Sequence, residues 1–100
     1  MIRHIVLWKL HEQAEGDSKF ENARKAKTML EALRGKIPGL VSLEVGIDCL
    51  GTKDSADLSL SATFENLEAL ERHKEHPDHR KLVPFMSAIQ STRTVIDYEI

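Results

Sequence analysis

The sequence predicts an α+β fold with the element order βαββαβ, and three observations lead there. Four segments alternate apolar and polar residues with period two, the segments between them carry apolar residues at helical spacing, and the two middle strands are joined by a short turn. That order specifies a ferredoxin-like, split βαβ arrangement, a four-stranded antiparallel sheet with helices on one face. At 100 residues, without repeat, linker or low-complexity tract, the chain reads as a single domain over 1–100.

The first strand runs from Ile2 to Leu10. Ile2, Val6, Trp8 and Leu10 share one parity with His4, while Ile5 and Leu7 share the other with Arg3 and Lys9, so both faces carry apolar residues. A helix is expected from Asp17 to Lys36. Ser18 with Glu21 three residues on forms a capping box, and Phe20, Ala23, Ala26, Leu30, Leu33 and Ile37 make one apolar stripe. Pro38 and Gly39 stop it. Val41, Leu43, Val45, Ile47 and Cys49 then alternate with polar residues as a second strand, which makes Cys49 a small buried hydrophobe. After a turn over 51–56, Leu58, Leu60, Ala62 and Phe64 form a third strand, hairpin-paired with the second. Asn66 caps a helix through Leu67, Leu70 and His73 that breaks at His76 before Pro77. Leu82, Phe85, Met86 and Ile89 mark a further helix, and Thr92 to Ile100, rich in β-branched residues, is the last strand.

With helices on one face, the other face of the sheet carries Ile5, Leu7, Ile96, Tyr98 and Ile100. Pairing two such sheets across a two-fold axis would cover it, and a chain that buries only about two-thirds of its unfolded surface gains from such an interface. A homodimer is therefore expected.

Composition narrows the partners. The net charge is −2 and neither sign is gathered into a block, which argues against nucleic acid and against an anionic membrane surface. No apolar run approaches the roughly 20 residues of a membrane span, and the opening residues lack the pattern of a signal peptide. A single cysteine agrees with a reducing compartment, so a cytoplasmic location is expected.

The densest chemistry is the run from His73 to His79. Histidines at 73, 76 and 79 invite a metal reading, but Pro77 breaks the helix between them, there is no His-Glu-x-x-His pattern and no cysteine is near, so no metal is expected. His73 shares its stripe with Leu70 and reads equally as a satisfied core histidine or as a general acid or base. His76 reads as a helix-end residue. His79, just past the proline corner, is the strongest candidate, because a short connection between helices can aim a side chain into a cleft. His4 lies on an apolar face beside Val6 and Trp8, where a lone imidazole is more often structural; together with His79 between sheet and helices it would make a titratable pair in an apolar pocket. Val6, Trp8, Leu43, Leu58, Leu60 and Phe85 are the expected pocket walls, although Trp8 and Phe85, like Met29 and Met86, read first as core. No Gly-x-Gly-x-x-Gly, Gly-x-x-x-x-Gly-Lys or Gly-x-Ser-x-Gly pattern is present, and no cofactor is expected.

The opening Arg3-His4-Ile5-Val6-Leu7-Trp8-Lys9-Leu10, the Ile37-Pro38-Gly39-Leu40 leading to Glu44-Val45-Gly46, the His76-Pro77-Asp78-His79 corner and the closing Val95-Ile96-Asp97-Tyr98 together resemble the stress-responsive dimeric α/β-barrel (Dabb) domain over nearly the whole length. The resemblance implies a ferredoxin-like protomer and a homodimer with sheets packed face to face. It implies less about activity: most members have none assigned, while the plant olivetolic acid cyclase of this fold closes a polyketide thioester by an aldol-type step. Through that resemblance His4 lines a pocket and His79 is the base. The cyclase's assisting tyrosine is matched here by His73 and its third-strand histidine by Leu58, departures that count against the cyclase's particular reaction. Two functions follow as expectations: a lyase, cyclase or isomerase using histidine acid/base chemistry on a small apolar, oxygenated substrate, or a non-catalytic ligand-binding or stress-response domain. A purely structural domain would show no pocket at all.

Overall fold

Strand β1 (Ile2–Leu10) is the centre of the architecture because it is paired on both sides. In a computed structural model describing all residues from Met1 to Ile100, it runs antiparallel to β5 (Leu58–Phe64) and to β6 (Gln90–Glu99), and β5 pairs in turn with β4 (Leu40–Ile47). The sheet order β4-β5-β1-β6, all antiparallel, is the ferredoxin-like arrangement expected from the element order.

Between β1 and the first long helix the chain makes a small hairpin that the periodicity does not signal, β2 (Gln13–Ala14) with β3 (Asp17–Ser18). Its two turn residues, Glu15 and Gly16, both have positive φ, 51° and 79°, as a two-residue hairpin turn of the primed type requires. Helix α1 (Lys19–Glu31) follows, with the Ser18 hydroxyl accepting from the Glu21 amide as the capping box anticipates. It ends five residues before Lys36. From Ala32 the chain tightens into three-residue turns, Leu33 N–H to Leu30 carbonyl and Lys36 N–H to Leu33 carbonyl, and Gly35 takes the left-handed conformation that closes a helix. Leu33 and Ile37 nevertheless stay buried.

Three burial expectations are corrected, beginning with Val41, which is 51% exposed where the β4–β5 register shifts between Leu40 and Ser42. Phe20 is 57% exposed in the first turn of α1, with the Arg24 guanidinium 4.3 Å above its ring. The polar Asn22 is buried instead, its amide donating to the Ala14 carbonyl at 2.9 Å, so that the helix is tied to the small hairpin. Cys49 is exposed, because β4 ends at Ile47 and the alternation that would have buried it ends there too.

After β5, Asn66 caps α2 (Leu67–Glu75) by accepting from the Ala69 amide. The proline corner forms its own short helix, α3 (Pro77–Arg80), whose start is capped by His76: the Asp78 amide donates to its Nδ1 at 3.1 Å. Helix α4 (Val83–Ile89) runs directly into β6, which begins at Gln90, two residues earlier than expected. The helices cover the even-numbered side chains of β1, and the core from Val6 and Trp8 to Leu58, Phe64, Leu70 and Ile89 lies between the layers. No helix is long and apolar enough to cross a membrane.

The opposite face is open. The register sets Ile5 beside Ile96, Arg3 beside Tyr98 and Leu7 beside Thr94, and Ile96, Leu7, Tyr98 and Ile100 are all exposed there.

Candidate active site

Three elements bring three histidines into one place between sheet and helices. His4 projects from β1 on the covered face, His73 comes from the last turn of α2, and His79 from α3 just after the proline corner. The His73 ring lies 4.4 Å from that of His79 and 5.8 Å from that of His4, and Phe64 packs against two of the three, its ring 4.8 Å from His73 and 6.3 Å from His4. They line a cavity of about 40 Å³ together with Val6, Trp8, Leu43 and Leu60. A second cavity of about 280 Å³ lies against it under α4, formed by Leu82, Val83, Met86, Ser87 and Gln90 and sharing Trp8, Leu30, His79 and Arg93 as a common wall.

The hydrogen bonds fix how each ring presents itself. His4 Nδ1 donates to Asp97 Oδ1 at 2.5 Å, across the β1–β6 pairing that sets these two residues side by side. His73 Nδ1 donates to the Leu70 carbonyl at 3.0 Å. In the neutral form both rings therefore hold their hydrogen on Nδ1 and keep Nε2 as an acceptor. His79 differs: its Nδ1 is buried without a hydrogen-bond partner.

Burial pushes the His73 imidazolium down to about 4, with the nearby His79 and His4 acting in the same direction against the favourable Leu70 carbonyl. Burial also lowers His79, outweighing the pull of the Lys74 backbone, whose geometry falls short of a hydrogen bond, and the charges of His4 and Arg93 add to the lowering. At neutral pH both rings are uncharged bases. A second unsatisfied group sits in the same walls, since the Trp8 Nε1–H is buried without an acceptor. A site with a neutral base and an unpaired donor is chemically equipped for a ligand that offers an oxygen and gives up a proton.

Of the expected walls, Val6, Trp8, Leu43 and Leu60 line the small cavity with the three histidines. Leu58 and Phe85 do not: Leu58 is sealed in the core near the far end of β5, and Phe85 packs half-buried against the core from α4. Sequence reasoning missed Phe64, Asp97 and Arg93. The signal for the last two was the parity of the final strand, where Arg93, Val95 and Asp97 share the face opposite to Ile96 and Tyr98 and so turn toward the helices.

The largest groove, about 500 Å³ between the start of α1 and the end of β4, offers less chemistry. Its amine is already committed, because Lys19 lies 2.9 Å from Glu12 and 3.5 Å from Asp57, and the bond to Glu12 holds the amine firmly charged.

The chain matches a known family model, described as the stress responsive A/B barrel domain, over residues 2–100. The chain belongs to the Dabb family. An uncharacterised protein of Streptomyces coelicolor is 28% identical over 99 residues, covering 99% of both chains. Among solved structures, a dimeric protein of unknown function and ferredoxin-like fold from Bacteroides fragilis is 27% identical with a TM-score of 0.86, covering 99% of this chain and 95% of that one. The hydroxynitrile lyase of Passiflora edulis has a TM-score of 0.79 at 19% identity, covering 99% of this chain and 92% of its own, which shows a shared fold.

Proposed function

We propose that this Dabb protein is a homodimeric small-molecule enzyme in which His79 serves as general base on an apolar, oxygenated substrate, a lyase, cyclase or isomerase by reaction type. The observation that carries the reading is the convergence of three imidazoles, two of them held neutral, on a cavity whose walls also hold an unpaired Trp8 N–H. The inner cavity has room for roughly three waters, so the substrate body belongs in the 280 Å³ chamber, a volume close to the ~300 Å³ lower end of small-molecule sites. His79 borders both spaces. It takes a proton from carbon beside a carbonyl, the Trp8 N–H stabilises the oxygen that gains charge, and His73 and His4 orient a substrate oxygen in the same pocket. Asp97 holds the His4 ring in place.

Incubating the protein in D₂O with a panel of small apolar ketones and acids is expected to wash deuterium into carbon positions beside the carbonyl, read by NMR. His79→Ala should slow this by at least ~10²-fold while the circular dichroism spectrum is kept. Ligands that bind and return unexchanged throughout the panel would favour the non-catalytic binding module instead.

The dimer reading is supported by the open apolar sheet face and by the dimeric neighbour. Sedimentation at micromolar concentration should report twice the chain mass. Ile96→Asp, which places a charge beside Ile5, is expected to weaken association by tenfold or more, and an unchanged dimer would count against this face. An exposed, unpaired Cys49 suits a cytosolic setting.

A further inference from the structure

We infer that the ligand of the 280 Å³ chamber carries a carboxylate, and that Arg93 is the residue that reads it. The inference rests on the reading that this chamber, bordered by His79, is the substrate site. Arg93 stands on β6 opposite Trp8, on the face turned toward the helices, and belongs to the wall common to both cavities. Its guanidinium is solvent-exposed on one side and makes no salt bridge and no hydrogen bond; the same is true of Arg72 and Arg80 on the helices, but of these three only Arg93 lines the chamber.

The carboxylate on its own strand does not neutralise it. Asp97 is four residues along, roughly 13 Å at strand spacing, and is taken up by His4. The remaining walls of the chamber, Leu82, Val83, Met86, Ser87 and Gln90, bring no charge. One cation in an otherwise uncharged chamber, with apolar walls at Leu82, Val83 and Met86 and polar ones at Ser87 and Gln90, matches one negative charge on a partly apolar body. A planar guanidinium binds a carboxylate through two parallel N–H bonds, whereas a phosphate dianion needs further cations or a backbone cradle that this wall lacks. The unsatisfied Trp8 Nε1–H, in the same shared wall, supplies a third donor for an oxygen of the same ligand.

Bound charge would also act on the base. Burial is the main reason His79 resists protonation, and the Arg93 charge is a contributor. A carboxylate seated on Arg93 offsets that contribution and makes His79 a stronger base once the correct ligand is present.

The test uses the chain's single tryptophan, Trp8, as the reporter. Hexanoate and its uncharged analogue hexanamide are titrated against the full-length protein by Trp8 fluorescence, with the ¹⁵N-edited NMR signals of His79 as a second readout. Hexanoate is expected to bind at least tenfold more tightly than hexanamide. Arg93→Gln should erase that preference without weakening hexanamide, and Arg93→Lys should restore part of it. Equal affinities, no saturable response to hexanoate in either readout, or an undiminished preference in Arg93→Gln would each overturn the inference. Repeating the titration in His79→Ala separates the two readings: carboxylate preference retained without deuterium exchange upholds Arg93 whatever becomes of His79 as a base.

Discussion

Between pH 6.5 and pH 4 the protein is expected to lose about 3 kcal/mol of stability through His73 alone. The unfolded chain takes up a proton near the ordinary histidine value of 6.5, while the folded chain, with this ring buried behind Phe64 and against the other two imidazoles, does so only at about 4. Across that window the unfolded state binds more protons, so stability falls as pH falls, is complete above 6.5 and levels off below 4. His79 is lowered for the same leading reason and adds to the loss in the same direction. Urea denaturation at half-unit steps of pH should show the decline. His73→Gln, which can still donate to the Leu70 carbonyl but does not titrate, should remove most of the slope. A flat profile in the wild type would mean that the ring is solvated and that its neutrality at the site is not imposed by burial. A marginal domain of ~5–15 kcal/mol total stability cannot ignore a term of this size.

The same burial explains what could be read in advance. His4, His73 and His79 were visible because imidazoles stood out against apolar periodicity: each shares a stripe or parity with Val6, with Leu70 or with the proline corner. Their convergence followed from topology, once four strands and the intervening helices fixed the layers. Parity puts Asp97 and Arg93 on the covered face, but cross-strand register was not legible, and they meet His4 and Trp8 only because β6 pairs with β1 in one particular alignment that shifts at Lys9 and Leu10. Helix length was overread for a related reason. The stripe of Leu33 and Ile37 continues the helical spacing past Glu31, but a three-residue turn also returns side chains to the same side every three positions, and Gly35 decides between them.

Pocket walls divide along the same line. Val6, Trp8, Leu43 and Leu60 alternate on the covered face and do surround the histidines, but Leu58 alternates equally well and lies outside the small cavity. Period two assigns a face and says nothing of position along it. The space left over depends on where the helices sit above the sheet, and that in turn depends on a few close approaches which no pattern of hydrophobicity records.

The closest of these approaches gives the other large effect. Gly39→Ala is expected to destabilise the protein by about 2–5 kcal/mol, combining ~1–2 kcal/mol for a side chain at positive φ with ~1–3 kcal/mol of overpacking. Gly39 has φ +82°, and a Cβ there would lie 2.5 Å from the Ala69 Cβ on α2, a fully buried atom with no free rotamer to yield. Helix α2 would have to move, and His73 stands one turn further along it, so the displacement reaches the imidazole cluster. Gly35→Ala is the matched control. Its φ is +76°, and nothing lies within 4 Å of the added carbon, so only the backbone term of ~1–2 kcal/mol should appear. Subtracting one from the other isolates the cost of pressing α2 away from the turn. If the two variants unfold at the same urea concentration, α2 accommodates the methyl freely and the seat of His73 is not set by this contact. If Gly39→Ala is the weaker by the expected margin and its His73 ring resonances also shift while those of Gly35→Ala do not, the glycine at the end of the Ile37-Pro38-Gly39 turn is holding the site in place through the helix packed upon it.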